Sequence, residues 1–262
     1  MPDDAEILKT IEDLALSAGA RIMLFHRSGC AVEAKSDASP VTRADREAEE
    51  IILAGLRAAF PETPVVAEEE VAAGVAPRDP GTSFFLVDPL DGTKEFIKGD
   101  GDFTVNIALI RDGAPVVGVV YAPARRMLYS AISGQAEAAA VDAEHGISER
   151  RPIRTRPRGP VTTIVASRSH RNAETDRLIG LHPGAEIVAI GSSLKFCLVA
   201  SGEADYYPRC GPTMQWDTAA GDAVLRAAGG MTATLDGVPL RYGLSPSGKP
   251  FANPQFVAEG PR

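Results

Sequence analysis

Two aspartates three residues apart, Asp88 and Asp91, close an apolar run, Phe84-Phe85-Leu86-Val87, and are followed at once by Gly92 and Thr93. Carboxylates at a strand end suit hard divalent cations such as Mg²⁺, which take oxygen ligands. A Gly-Thr step offers backbone N–H groups and a hydroxyl, which suit phosphate. The stretch D-P-L-D-G-T-K-E-F therefore sets metal and phosphate chemistry side by side. More acids border apolar segments at Glu68-Glu69-Glu70, after Val65-Val66-Ala67, and at Asp217 in W-D-T-A-A-G. Plainer readings exist for each. Asp217 is placed to N-cap a helix, and two of the three glutamates read as solvated loop residues. Asp-Pro-Leu-Asp-Gly is good turn chemistry, but that leaves the adjoining Thr-Lys-Glu-Phe unexplained.

Helices and strands must carry these residues. Ile7, Leu8, Ile11, Leu14, Ala18 and Ile22 recur at helical spacing and predict a helix over 5–26. A second helix is expected over 43–60, stopped by Pro61. Residues 64–67 and 84–87 read as strands. Runs 104–110 and 115–121 flank Arg111-Asp112-Gly113-Ala114, a hairpin signal. Residues 127–132 and 136–141 continue an antiparallel sheet. The arginine-rich, Pro-containing stretch 145–160 reads as a boundary, dividing the chain into an N-terminal α+β subdomain (1–155) and a C-terminal α/β subdomain (156–262). Beyond it strands at 161–166 and 185–190 alternate with helices at 173–181 and 193–201. A last helix over 218–228 ends at Gly229-Gly230.

With 44% hydrophobic and 24% charged residues the composition is that of a globular protein. No apolar run reaches membrane-spanning length, and the acidic N-terminus does not read as a signal peptide. Cys30, Cys197 and Cys210 are too few and scattered for a disulfide framework or zinc site. A cytoplasmic home is the simplest expectation; peripheral attachment to the inner membrane face is left open. The net charge of −8 argues against a nucleic-acid polymer as partner. It also disfavours a phosphate ester unless cations intervene and invert the local field.

Four segments resemble the inositol monophosphatase-like family of metal-dependent, lithium-sensitive phosphatases, and occur in the family's order. They are K-S-D-A-S-P-V-T-R-A-D (35–45), V-V-A-E-E (65–69), D-P-L-D-G-T (88–93) and W-D-T-A-A-G (216–221). The resemblance implies a layered α-β-α-β-α sandwich, of mixed α+β and α/β character, with two or three Mg²⁺ ions. It implies that Glu68, Asp88 and the Leu90 carbonyl hold one ion, that Asp88, Asp91 and Asp217 hold a second, and that Glu68 touches a hydrated third. Gly92 and Thr93 would hold phosphoryl oxygens, and Asp45, bonded to Thr93, would help activate water. Thr42-Arg43-Ala44-Asp45 also reads as a capping box, which competes for the Asp45 carboxylate. Ala67 departs from the Ser or Gly common in relatives, so the choice of Glu68 among three glutamates rests on alignment to the strand.

Lys94-Glu95-Phe96 resembles the branch acting on nucleotides with an extra 3′-phosphate, as do S-R-S-H (167–170), G-S-S-L-K-F-C-L-V-A-S-G (191–202) and Y-P-R-C-G-P-T (207–213). The implied reaction converts adenosine 3′,5′-bisphosphate to AMP and phosphate in sulfur metabolism, with its sulfated analogue as a further substrate. The uncleaved phosphate calls for cations, and Lys195 and Arg209 are available; Lys94, His170 and Ser192 complete the expected substrate contacts. Taken singly, Lys195 reads as a solvated helix lysine and His170 as a loop histidine. An inositol-1-phosphate or sugar-phosphate phosphatase is the alternative. A non-catalytic regulator fits less well, because the acids are intact. Monomer and homodimer are both open.

Overall fold

The computed structural model describes residues 3–28, 32–34, 40–75, 77, 79–132, 134–168, 171–244 and 249–261. Helix α1 (Asp4–Ser28) opens with Asp4 and Glu6, ends near His26 and Arg27, and buries Ile7, Ile11, Ala15, Ala18 and Ile22 on one face. That charge order suits the helix dipole. A short ribbon, β1 (Val32–Ala34) with β2 (Pro40–Thr42), leads into α2 (Arg43–Ala59), whose apolar face packs beside α1.

A seven-stranded sheet follows in sequence order: β3 (Val65–Ala67), β4 (Ser83–Asp91), β5 (Thr104–Arg111), β6 (Ala114–Ala122), β7 (Met127–Ile132), β8 (Gln135–Val141) and β9 (Ile147–Pro152). β3 and β4 are parallel; the rest form an antiparallel meander. Two short helices, α3 (Glu68–Ala72) and α4 (Thr93–Ile97), follow β3 and β4 directly. The expected hairpin closes with Asp112 and Gly113 both at positive φ, 49° and 76°, as a two-residue turn matching strand twist requires.

The second half contains β10 (Thr163–Ser167), α5 (Ala173–Gly180), β11 (Glu186–Ile190), α6 (Leu194–Ala200), β12 (Tyr206–Arg209), α7 (Ala219–Ala227), β13 (Met231–Thr234) and β14 (Phe256–Glu259). Its five strands are ordered β11-β10-β12-β14-β13.

Alternation along β4 sets the layers. Phe85 and Val87 join the core shared with α1 and α2, while Phe84 and Leu86 join the core shared with α6, α7 and the second sheet. Ile164, Ala166 and Tyr206 pack outward with Ile179 of α5. The result is the expected α-β-α-β-α sandwich. Buried on both faces, the first sheet reads as continuous apolar runs. Helix α7 lies directly on β6, where a Cβ on Gly118 would come within 2.6 Å of the Ala223 Cβ and 2.9 Å of the Ala220 carbonyl.

Part of the stretch read as a boundary is strand β9, paired to β8, so the chain leaves the first sheet only after Pro152. Its charged residues are those of an exposed edge strand, which sequence pattern confuses with a loop. The arginines there are used: Arg150 forks onto buried Glu12 of α1 at 2.8 and 2.6 Å, and Arg156 onto Asp205 at 2.8 and 2.9 Å. Among the described residues no helix is long and apolar enough to cross a membrane. Cys197 and Cys210 are buried free thiols.

Candidate active site

The acids converge where β3, β4 and α7 approach. Between Asp88 and Asp91 the pairing of β4 with β5 slips: Asp88 lies opposite Asn106, but Asp91 lies opposite Thr104. Three steps on one strand thus match two on the other, a bulge at which Pro89 needs no donor. In a regular strand residues three apart face opposite ways. The extra residue turns both carboxylates to one side, where Asp91 adds to the burial that raises the Asp88 pKa. The Leu90 N–H donates to Asp88 Oδ1 at 3.0 Å, fixing the turn.

Glu68, first residue of α3, acts electrostatically on Asp45, Asp88, Asp91 and Asp217, so it faces all four. The chain holds α3 from behind. Glu49 of α2, buried, accepts the N–H groups of Glu69 and Glu70, each at 2.9 Å. Burial pushes the Glu49 carboxyl up to about 7 despite those bonds. Asp217 lies in a 3₁₀ turn (Gln215–Asp217) ahead of α7, and its carboxylate accepts the Met214 N–H at 2.8 Å. It is therefore not the N-cap of α7; Thr218 holds that position. Burial, then the neighbouring acids, raises Asp88 and Asp217 well above the ordinary carboxylate range. Asp91 is raised less, to about 6, because Lys195 and the Ser193 N–H offset its burial.

The Asp45 carboxylate reaches Thr42 and Thr93 at once. Its Oδ2 takes the Thr42 N–H at 2.7 Å and the Thr42 hydroxyl at 2.6 Å, completing the capping box. Its Oδ1 lies 3.1 Å from the Thr93 hydroxyl. That hydroxyl also lies 3.2 Å from the Leu90 carbonyl. With one proton to donate, it serves one acceptor at a time. Burial raises the Asp45 pKa, and the Thr42 bonds pull it back.

Beside the acids is a cavity of about 180 Å³ whose lining includes Asp91, Asp217, Ser192, Lys195, Tyr207 and Arg209. Lys195 is not the solvated helix lysine that its sequence context suggests. It is 4% exposed, its Nζ donates to the Ser192 carbonyl and lies 5.2 Å from the centre of the Tyr207 ring. Burial lowers its pKa to about 8, with Asp91 acting against that. Arg209 is also buried; its Nη2 donates to the Pro212 carbonyl at 2.9 Å, while its Nε finds no hydrogen-bond partner among the described residues. A buried guanidinium N–H left open beside a cavity is a donor for an anion. A larger cavity, about 630 Å³, opens between α2 and α3 among Arg46, Glu49, Arg57 and Glu70. It lacks the Asp88, Asp91 and Asp217 carboxylates, so size does not mark the chemistry.

Gly92, at φ 95°, N-caps α4, and Thr93 begins that helix. Lys94 is exposed and outside the cavity; its neighbour Glu95 is buried and lines it. His170 lies outside the described residues. Phe196 and Trp216 belong to the core. Sequence reading missed Glu49, Glu95 and Ser193. For Glu49 a signal existed: with Asp45 it falls on the Ala44, Ala48, Ile52 stripe of α2, where an acid is out of place unless it has a partner.

All donors in the acidic group are hard oxygens, the chemistry Mg²⁺ takes. Burial first, then repulsion among the acids, raises the Asp88 and Asp217 pKa values, and a bound cation would offset that repulsion. Among the described residues no group of three His, Cys, Asp or Glu is set to hold an ion as it stands. The acids thus form a shared negative field rather than a finished shell. The residues fit a divalent cation by donor type and charge.

The inositol monophosphatase family model matches residues 3–258. The chain is 46% identical over 252 residues to the 3′(2′),5′-bisphosphate nucleotidase CysQ of Escherichia coli K12, covering 95% of this chain and 98% of that one. The Salmonella typhimurium protein of the same name is 45% identical with the same coverage. Among solved structures, CysQ from Bacteroides thetaiotaomicron, described as a bacterial member of that family, superposes with a TM-score of 0.78 at 37% identity, covering 97% of each chain.

Proposed function

The chain belongs to the inositol monophosphatase family, whose members are metal-dependent phosphatases that generally use Mg²⁺, and from that premise we infer that it is a 3′(2′),5′-bisphosphate nucleotidase. It hydrolyses adenosine 3′,5′-bisphosphate to AMP and phosphate, in sulfur assimilation, and takes the sulfated analogue as a second substrate. One observation carries the reading. The cavity lining brings together carboxylates, Asp91 and Asp217 among them, and two buried cations, Lys195 and Arg209. A substrate with one phosphate to lose and one to keep matches that pairing; a monophosphate on a neutral ring leaves the cations unused.

Glu68, Asp88 and the Leu90 carbonyl would hold one Mg²⁺, Asp88, Asp91 and Asp217 a second, and Glu68 would touch a hydrated third. When bound, these ions lower the pKa of a water and offset charge on the leaving oxygen. The chain's own groups do the rest. Thr93, bonded to Asp45, orients the attacking water and passes its proton toward that carboxylate. Backbone N–H groups at Gly92 and Thr93 hold the phosphoryl oxygens as charge develops there. The P–O bond to the ribose oxygen breaks, and that oxygen leaves with a proton from solvent. Lys195, Arg209, Ser192 and His170 bind the retained phosphate and nucleoside. In this scheme residues 1–155 act as the subdomain supplying most metal ligands and 156–262 as the one supplying recognition residues and Asp217.

Phosphate release with Mg²⁺, measured side by side, should be far faster from adenosine 3′,5′-bisphosphate than from inositol 1-phosphate. The reverse order would overturn the assignment.

A further inference from the structure

Behind the recognition wall one buried carboxylate ties together segments from both halves of the chain. Asp102 precedes β5 and is 2% exposed. Its Oδ1 accepts Arg125 Nε at 3.0 Å and also Arg125 Nη2. Its Oδ2 accepts Arg168 Nη2 at 2.9 Å and lies 3.4 Å from the Gly191 nitrogen. Arg125 follows β6, Arg168 follows β10, and Gly191 follows β11. Arg168 further pairs with Asp100 and donates to the Ala189 carbonyl at 3.1 Å, so it straps the ends of β10 and β11 together.

Gly191 opens the turn that delivers Ser192, Ser193 and Lys195. The turn sits hard against the first half: a Cβ on Gly191 would fall 2.6 Å from the Asp102 carbonyl oxygen and 2.9 Å from Glu95 Cγ. Ser193 anchors the same turn to β5, its hydroxyl donating to Asn106 Oδ1 at 2.7 Å and lying 2.9 Å from Thr104 Oγ1. Its N–H bonds Asp91. The recognition turn is thus registered on the strands that carry the acidic cluster.

We propose that Asp102 is a positioning residue for substrate selection: through Arg168 and Gly191 it fixes the spacing between the acidic cluster and the Lys195–Arg209 pair, so that two phosphates on one molecule engage both at once. The proposal rests on the nucleotidase reading. Two tethered groups bind better than one only where the site holds the matching separation; slack between the halves forfeits the second phosphate while leaving the first able to react.

Asp102→Asn keeps the shape but removes the charge shared by two guanidinium groups. Steady-state kinetics with Mg²⁺ would compare adenosine 3′,5′-bisphosphate with adenosine 3′-monophosphate, which lacks the retained phosphate. We expect Asp102→Asn to lose about tenfold or more in kcat/KM on the bisphosphate, chiefly through KM, and under about threefold on the monophosphate. Asp102→Glu should recover part of the preference. Equal losses on both substrates, or no loss, overturn the proposal. If Asp102→Asn fails to fold, Arg168→Gln, which leaves Asp102 paired to Arg125, carries the same test with the same two outcomes. A wild-type enzyme with no preference for the bisphosphate would instead refute the nucleotidase reading, a result distinct from failure of the variants.

Discussion

Glu49 offers a test of how the acidic region is held, because its burial has a thermodynamic signature. Its carboxyl is raised from 4.5 to about 7. That rise corresponds to about 3 kcal/mol of differential stability. The sign follows from which state holds the proton. Between pH 4.5 and 7 the folded protein keeps a proton that the unfolded chain has released, so raising pH through that window favours unfolding. Below it the carboxyl is neutral in both states and contributes nothing; above it the full penalty is present. Glu49→Gln is neutral throughout and carries no such penalty, though one of the two N–H groups at the start of α3 then meets an amide donor instead of an oxygen. Urea unfolding of both proteins in metal-free buffer at pH 5 and pH 8 gives a double difference in which the other titrating acids cancel. The stability of Glu49→Gln minus that of wild type should rise by about 2 to 3 kcal/mol between the two pH values. A difference that stays flat would refute the reasoning, whatever its absolute sign.

Asp91→Asn should abolish phosphate release while circular dichroism stays unchanged, since the residue faces a pocket and not the core; a turning-over variant would sink the metal assignment. Lys195→Ala should raise KM for adenosine 3′,5′-bisphosphate by about 10- to 100-fold, the usual value of a lost charge-assisted contact, with a smaller effect on a simple monophosphate. Equal effects on both would make Lys195 structural. Gly118→Ala should cost about 1 to 3 kcal/mol in unfolding experiments through overpacking against α7, and a variant of unchanged stability would show that the helix yields freely.

The sequence displays some of this molecule openly and hides the rest for physical reasons. Helices α1 and α2 and the β5–β6 hairpin are local objects, written in apolar spacing and turn residues that need no distant partner. The acids at 68, 88, 91 and 217 are visible because carboxylates beside apolar runs are costly without a purpose. What stays hidden depends on contacts far apart in the chain. Lys195 reads as an ordinary helix lysine until Tyr207 and the Ser192 carbonyl are brought against it. Asp45 looks torn between two duties, because sequence does not reveal that its two oxygens point to Thr42 and Thr93 separately. β9 is polar because it is an edge. β12, β13 and β14 are only four residues each, too short for periodicity to register.

The place of β14 has a consequence for how the protein is made. It is the last strand in chain order, yet it lies between β12 and β13 and pairs with both. Synthesis runs from the N-terminus, and structure can form as segments emerge. The seven-stranded meander, whose neighbours in space are neighbours in sequence, can assemble while the ribosome is still at work. β12, which carries Arg209, must wait with an unsatisfied edge until Phe256 to Glu259 have left the tunnel. The Arg209 side of the cavity is therefore the last part to be completed, and the interval before β14 docks is when the nascent chain is most exposed to wrong pairing.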